Sequence, residues 1–149
     1  MKRYPVALSF TEIDCLVARR CWNFMLKGKV GCYEYSISDS KSVGYDLLAR
    51  HLEVYRESAA IVYFVRRESF ERKYARLELD ISVERKAKDC FAILMNEEAE
   101  CLLAQNYPHL RSVLYSPGSE QALFARLMLF AKDSVINSVP EPPRDERTP

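Results

Sequence analysis

The chain has little glycine, four residues in 149, at positions 28, 31, 44 and 118. Neither GxGxxG nor GxxxxGKS/T occurs, which disfavours a dinucleotide or nucleotide held as a resident cofactor on a Gly-rich loop. It also lacks an excess of either charge: 22 basic residues face 21 acidic ones, for a formal net charge of +1. A protein that holds nucleic acid by its phosphates shows a basic excess or stripe, so no nucleic-acid partner is expected. Histidine is nearly missing too. His51 and His109 stand apart from each other, and neither has a Ser, Cys or Asp partner visible for a triad. The five cysteines, at 15, 21, 32, 90 and 101, form no CxxC pair, and Cys32 and Cys90 lie inside apolar runs. Free thiols of a reducing compartment fit this pattern better than a disulfide framework or a metal site. Long apolar runs are absent. The start, Met1-Lys2-Arg3-Tyr4-Pro5, is basic and then apolar, but the run stops at Phe10, with Glu12 and Asp14 close behind, too short for a signal peptide. Nothing approaches the length of a bilayer span. A cytoplasmic protein without a membrane partner is the expectation.

What is present suits one globular domain, with a hydrophobic fraction of 48%. Five short runs read as strands: Pro5–Phe10, Val30–Tyr35, Ala60–Val65, Cys90–Met95 and Ser112–Tyr115. The middle three hold few charges, as parallel strands covered on both faces do. Helical periodicity separates them: 12–27, with Thr11 and Asp14 placed like a capping box and Gly28 as a stop; 45–57, repeating Leu48, Leu52 and Tyr55; and 70–86, repeating Phe70, Tyr74, Leu77 and Ile81. A short helix and loop are expected over 96–111, and a last helix carries Leu123, Leu127 and Phe130 on one stripe. Alternating strands and helices predict an α/β fold, a flavodoxin-like doubly wound sheet of five parallel strands in the order 2-1-3-4-5 with helices on both faces. Its ligand crevice opens where strands 1 and 3 diverge, just after Phe10 and Val65. The domain is expected over 1–135. Residues 136–149, with four prolines from Pro140 onward, read as a disordered tail or linker.

Three boxes in this order resemble those of Toll/interleukin-1-receptor (TIR) domains of bacterial type. Tyr4-Pro5-Val6-Ala7-Leu8-Ser9-Phe10 is similar to their first strand, which ends in Ser and an aromatic residue. Lys41-Ser42-Val43-Gly44-Tyr45-Asp46-Leu47 resembles the second box, where a glycine closes the BB loop. Phe64-Val65-Arg66-Arg67-Glu68-Ser69-Phe70, running into Tyr74-Ala75-Arg76-Leu77-Glu78, resembles the third strand and the helix after it, where enzymatic members carry Trp-x-x-x-Glu with a catalytic glutamate. The chain departs from that pattern in three places. Tyr74 replaces the Trp, Arg66 stands where a serine is expected, and the loop after strand 4 lacks the Asp and Pro-Gly-Leu frequent in bacterial relatives.

The resemblance implies cleavage of the nicotinamide–ribose bond of NAD+, bound as a substrate with no cofactor or metal, to give nicotinamide and ADP-ribose or a cyclic form. It implies Glu78 as the catalytic carboxylate, and a substrate site drawn from Phe10, Thr11, Tyr74, Arg66 and Gly44. Phe10 would stack on a planar ring, or simply be a core aromatic. Thr11 would present its hydroxyl or N–H, or cap the helix. Tyr74, one turn before Glu78, would share its side of the helix. Arg66 and Arg67 would meet a pyrophosphate, although Arg67 reads better as a solvated loop residue. Tyr33 reads as packing and His51 as a helix-surface residue. Self-association, or binding to other TIR domains, is implied through the 36–45 loop, in bacterial immunity or as an effector. A non-catalytic TIR adaptor is the alternative from another class, favoured by Arg66 and opposed by Glu78. A nucleoside deoxyribosyltransferase-like enzyme finds no support in the second box, and a receiver domain would need an acidic cluster after strand 1 and an Asp after strand 3.

Overall fold

The computed structural model describes residues 6–33 and 45–138. Of the stretch 136–149 expected as a tail, residues 136–138 continue the last helix, and the rest lies outside the described residues. Five parallel strands form one sheet in the order β2-β1-β3-β4-β5: β1 Val6–Ser9, β2 Cys32–Tyr33, β3 Ala60–Val65, β4 Cys90–Leu94 and β5 Arg111–Leu114. Between them run α1 (Cys15–Lys27), α2 (Tyr45–Glu57), α3 (Arg67–Glu71), α4 (Lys73–Glu84) and α5 (Glu97–Asn106), and α6 (Glu120–Ser138) follows β5.

Period-two alternation divides the strand side chains between two cores. Val6 and Leu8 of β1, Val62 and Phe64 of β3 and Ile93 of β4 point to one face, under α1 and α6. Ala7, Ile61, Tyr63, Val65, Ala92 and Leu94 point to the other, where Tyr55 of α2, Leu79 and Ile81 of α4 and Leu103 of α5 cover them. Every residue of β1 and β3 is buried, as expected of central strands in a doubly wound sheet, whereas three of the four residues of the edge strand β5 are exposed. The register pairs Ser9 with Tyr63, so β1 and β3 end side by side at the centre of the sheet.

Two local features differ from the sequence reading. The helix expected over 70–86 is broken at Arg72, whose ψ of 129° is extended. Thr11 stands at the N-cap of a 3₁₀ turn (Glu12–Asp14) that leads into α1, but its hydroxyl makes no cap hydrogen bond, and Asp14 is turned inward. The capping box is therefore not formed. The segment after β4 is a helix and then a loop, as expected, and the N-cap of that helix, Asn96, accepts from the Ala99 N–H at 2.9 Å. The last turn of α2 is held by Arg85, which donates to the carbonyls of Tyr55 (3.0 Å), Ser58 (2.7 Å) and Ala59 (3.3 Å). A cation on these carbonyls suits the negative end of a helix, and it ties α2 to the end of α4. Among the described residues no helix is long and apolar enough to cross a membrane.

Candidate functional site

The last residue of β1 begins the site. Ser9 shares the face of Ala7, and its hydroxyl donates to Glu78 Oε1 of α4 across 2.5 Å. The other carboxylate oxygen, Oε2, lies 2.7 Å from His51 Nε2 of α2. The imidazole's Nδ1 meets the Tyr33 hydroxyl of β2 at 3.0 Å. Ser9, Glu78 and His51 are 4%, 5% and 2% exposed, so this chain of hydrogen bonds is buried. The Tyr55 ring meets the imidazole edge-on at 4.8 Å, and its hydroxyl donates to the Leu8 carbonyl at 2.5 Å. Tyr63 donates from its hydroxyl to the backbone carbonyl of Glu78 at 2.8 Å, and burial raises that phenol well above its ordinary pKa. β1 and α2 thus meet the carboxylate of α4, and β2 backs the imidazole.

Glu78 forms no ion pair with a lysine or arginine among the described residues. A buried carboxylate costs stability unless hydrogen bonds or a counter-charge offset its lost hydration, and here the offset comes from hydrogen bonds to Ser9 and His51. The arrangement is not a nucleophilic triad. In a triad the imidazole sits between serine and carboxylate, whereas here the carboxylate sits between serine and imidazole.

A second polar group lies where the chain leaves β1 and β3. Arg66, just after β3, binds Asp14 through two hydrogen bonds, 2.8 Å from Nε and 2.6 Å from Nη2. Asp14 is 3% exposed, and its hydrogen bonds hold the Arg66 guanidinium above its ordinary pKa. Arg72 pairs with Glu12 beside it. Two ion pairs therefore strap the 3₁₀ turn after β1 to the segment after β3, over the point where the strand order reverses. The Thr11 hydroxyl on that turn is buried and makes no hydrogen bond.

These positions revise several expectations. His51 is no surface residue: it faces inward and binds Glu78. Tyr33 does more than pack, since its hydroxyl meets that imidazole. Tyr74 is 40% exposed and makes none of the hydrogen bonds that hold Glu78. Phe10 is half-buried against the core beneath α1 and α6. Arg66 is engaged with Asp14, whereas Arg67 is on the surface as read, paired with Glu68, Glu71 and Glu98. Gly44 and the loop before it lie outside the described residues. Ser9 was the functional candidate that sequence reasoning missed. The signal was its place at the inward-facing end of β1. For His51 the signal was its position three residues after Leu48 and four before Tyr55, on the apolar stripe.

No family model matches the sequence, and no curated protein matches it. In three dimensions the chain is similar to the crystal structure of the RPS4 and RRS1 TIR domain heterodimer, with a TM-score of 0.65 at 10% identity, over 88% of this chain and 97% of that one. The fold is that of a TIR domain. At this identity the likeness speaks for the fold alone.

Proposed function

We propose that this TIR domain is an NAD+ glycohydrolase with Glu78 as its catalytic group, releasing nicotinamide and either ADP-ribose or a cyclic ADP-ribose. The observation that carries the reading is the Glu78 carboxylate, buried with no lysine or arginine partner among the described residues and hydrogen-bonded to the last residue of β1. Nicotinamide leaves NAD+ as a neutral group, so positive charge develops on the ribose in an oxocarbenium-like transition state. A fixed, uncompensated carboxylate stabilises that charge more than it stabilises the ground state. Water then adds at the ribose carbon to complete hydrolysis, or a nucleophile of the same molecule closes a ring. Arg66, Thr11 and Phe10 edge the crevice and supply phosphate, hydroxyl and ring contacts, with Tyr74 and Gly44 as further substrate contacts. Since Glu78 is covered, catalysis requires the site to open, and self-assembly through the 36–45 loop is the proposed trigger. Bacterial immunity or an effector role follows from the sequence resemblance.

Concentrated protein incubated with NAD+ should release nicotinamide, followed by chromatography. Glu78→Gln should lower turnover over a hundredfold, the equivalent of losing about 3 kcal/mol of transition-state stabilisation. The same change should also lower stability by about 1–2 kcal/mol, because its amide N–H₂ must face either the His51 N–H or the Ser9 hydroxyl, which would then have to turn its own proton away from its acceptor. Undiminished cleavage by this variant removes Glu78 from the mechanism.

A second reading, a non-catalytic adaptor that binds other TIR domains, is favoured by the Asp14–Arg66 and Glu12–Arg72 straps across the crevice. The structural neighbour being a heterodimer of TIR domains is consistent with such association. No nicotinamide release at any concentration, with larger species seen by light scattering, selects this reading.

A further inference from the structure

We propose that His51 is a positioning residue for Glu78, its Nε2–H holding the carboxylate as an ionised acceptor, and that Tyr33 selects the imidazole tautomer that makes this possible. The inference rests on the reading of Glu78 as the group that meets the ribose. It begins with the placement of one proton. Across the 2.7 Å between His51 Nε2 and Glu78 Oε2, either the imidazole donates to a carboxylate or a carboxylic acid donates to the imidazole. A protonated Glu78 carries no charge to set against an oxocarbenium ion.

The far side of the ring holds the complementary choice. Tyr33 lies 3.0 Å from Nδ1, where a phenol hydroxyl accepts from a ring N–H or donates to a bare ring nitrogen, and we assign it the donor's part. A neutral ring with Nδ1 bare carries its hydrogen on Nε2, facing Glu78. Every donor then meets an acceptor along the chain: the Tyr33 hydroxyl to Nδ1, Nε2–H to Oε2, and the Ser9 hydroxyl to Oε1. One negative charge results, and it sits on Glu78. The opposite tautomer places hydrogen on Nδ1 and makes Nε2 an acceptor, which demands the protonated acid. A doubly protonated ring would neutralise the charge. Among the described residues the titratable groups facing the imidazole are Tyr33 of β2, Tyr55 of its own helix and Glu78 of α4. The Tyr55 ring, inclined at 69° to the imidazole, fixes its plane. Arg85, clamped on the end of α2, fixes the helix that carries it. Carboxylate lone pairs remain beyond those used by Ser9 and His51, so the group stays able to accept a ribose hydroxyl.

Two measurements on the whole chain test this. Nitrogen NMR of the imidazole reads the tautomer without any turnover: a neutral ring protonated at Nε2 and bare at Nδ1 is expected at neutral pH. A ring protonated at Nδ1 alone, or at both nitrogens, overturns the proposal. In NAD+ cleavage, His51→Phe keeps a ring but removes the donor, and kcat should fall by about tenfold or more with KM within about twofold. His51→Gln restores an N–H near the Nε2 position and should keep kcat within about threefold of the parent. Tyr33→Phe should lower kcat several-fold without raising KM. Loss in His51→Gln equal to that in His51→Phe, or a rise in KM alone, overturns the positioning role. If His51→Phe fails to fold, the Gln and Tyr33→Phe variants decide. Absence of nicotinamide release by the parent refutes the glycohydrolase reading, and the NMR result then still decides the tautomer.

Discussion

At the residue scale, the Asp14–Arg66 pair shows how one substitution changes meaning once its partner is known. Read along the chain, Arg66 is a misplaced charge where TIR-like sequences carry serine, and Arg66→Ser looks like a restoration. In the fold it would strand Asp14, 3% exposed, without its counter-charge and two charge-assisted hydrogen bonds. Arg66 keeps an edge in water, so the loss should be about 1–3 kcal/mol rather than the full cost of breaking a buried pair. The double change Asp14→Asn with Arg66→Ser should recover at least half of it, seen as the midpoint of urea unfolding. Equal midpoints for the single and double variants would mean the pair contributes nothing to stability. The Arg66 anomaly was legible in sequence; its partner, 52 residues earlier, was not, because only the folded sheet brings the ends of β1 and β3 together.

At the scale of elements, the shortage of glycine leaves a mark. Positive φ falls on Lys29 (65°), Lys86 (56°), Ala87 (60°) and Asp89 (57°), none of them glycine. Gly28 ends α1 as expected, but with a φ of −87°, and the left-handed step is taken by Lys29. The turn from α4 to β4 thus carries three left-handed residues with side chains, each at a cost of about 1 kcal/mol. Lys86 is exposed, so Lys86→Gly should raise stability by about 0.5–1 kcal/mol, whereas Lys86→Val should lower it by at least as much. Ala87→Gly should be close to neutral, since the relieved strain is offset by loss of a methyl that packs on the second core. Thermal unfolding of the three variants gives the order. A destabilised Lys86→Gly would contradict the assigned backbone. The relation of this turn to the site is direct: Arg85, which begins it, holds the helix that carries His51.

At the scale of the whole molecule, the two cores set which cysteines can react. Cys21 lies in the core under α1 and α6, and burial pushes its thiol far up; Cys90, in the other core, is pushed up to about 11 by burial. Alkylation requires the thiolate and access to it. Cys101 is exposed on α5. Iodoacetamide at neutral pH should therefore label Cys101 in the native protein, with Cys21 and Cys90 slower by a factor on the order of a thousand or more, set by opening of the fold. Peptide mass spectrometry resolves the sites. Rapid labelling of Cys90 would show that the sheet opens locally at β4.

The order of strands, the parallel sheet and the position of Glu78 were legible in the sequence because each rests on local information. Apolar runs such as Ala60–Val65 give the strands, helical spacing gives α2 and α4, and the three boxes come in an order that identifies the glutamate's helix. Tertiary structure decided what surrounds Glu78. Ser9 and His51 lie 69 and 27 positions from it and reach it, with Tyr33 behind the imidazole, only because α2 and α4 pack side by side over β1 and β2. A lone histidine on a helix carries the same local signal whether it faces water or a carboxylate. Its surroundings follow from which helix face the sheet covers, and that is fixed by contacts far apart in the chain.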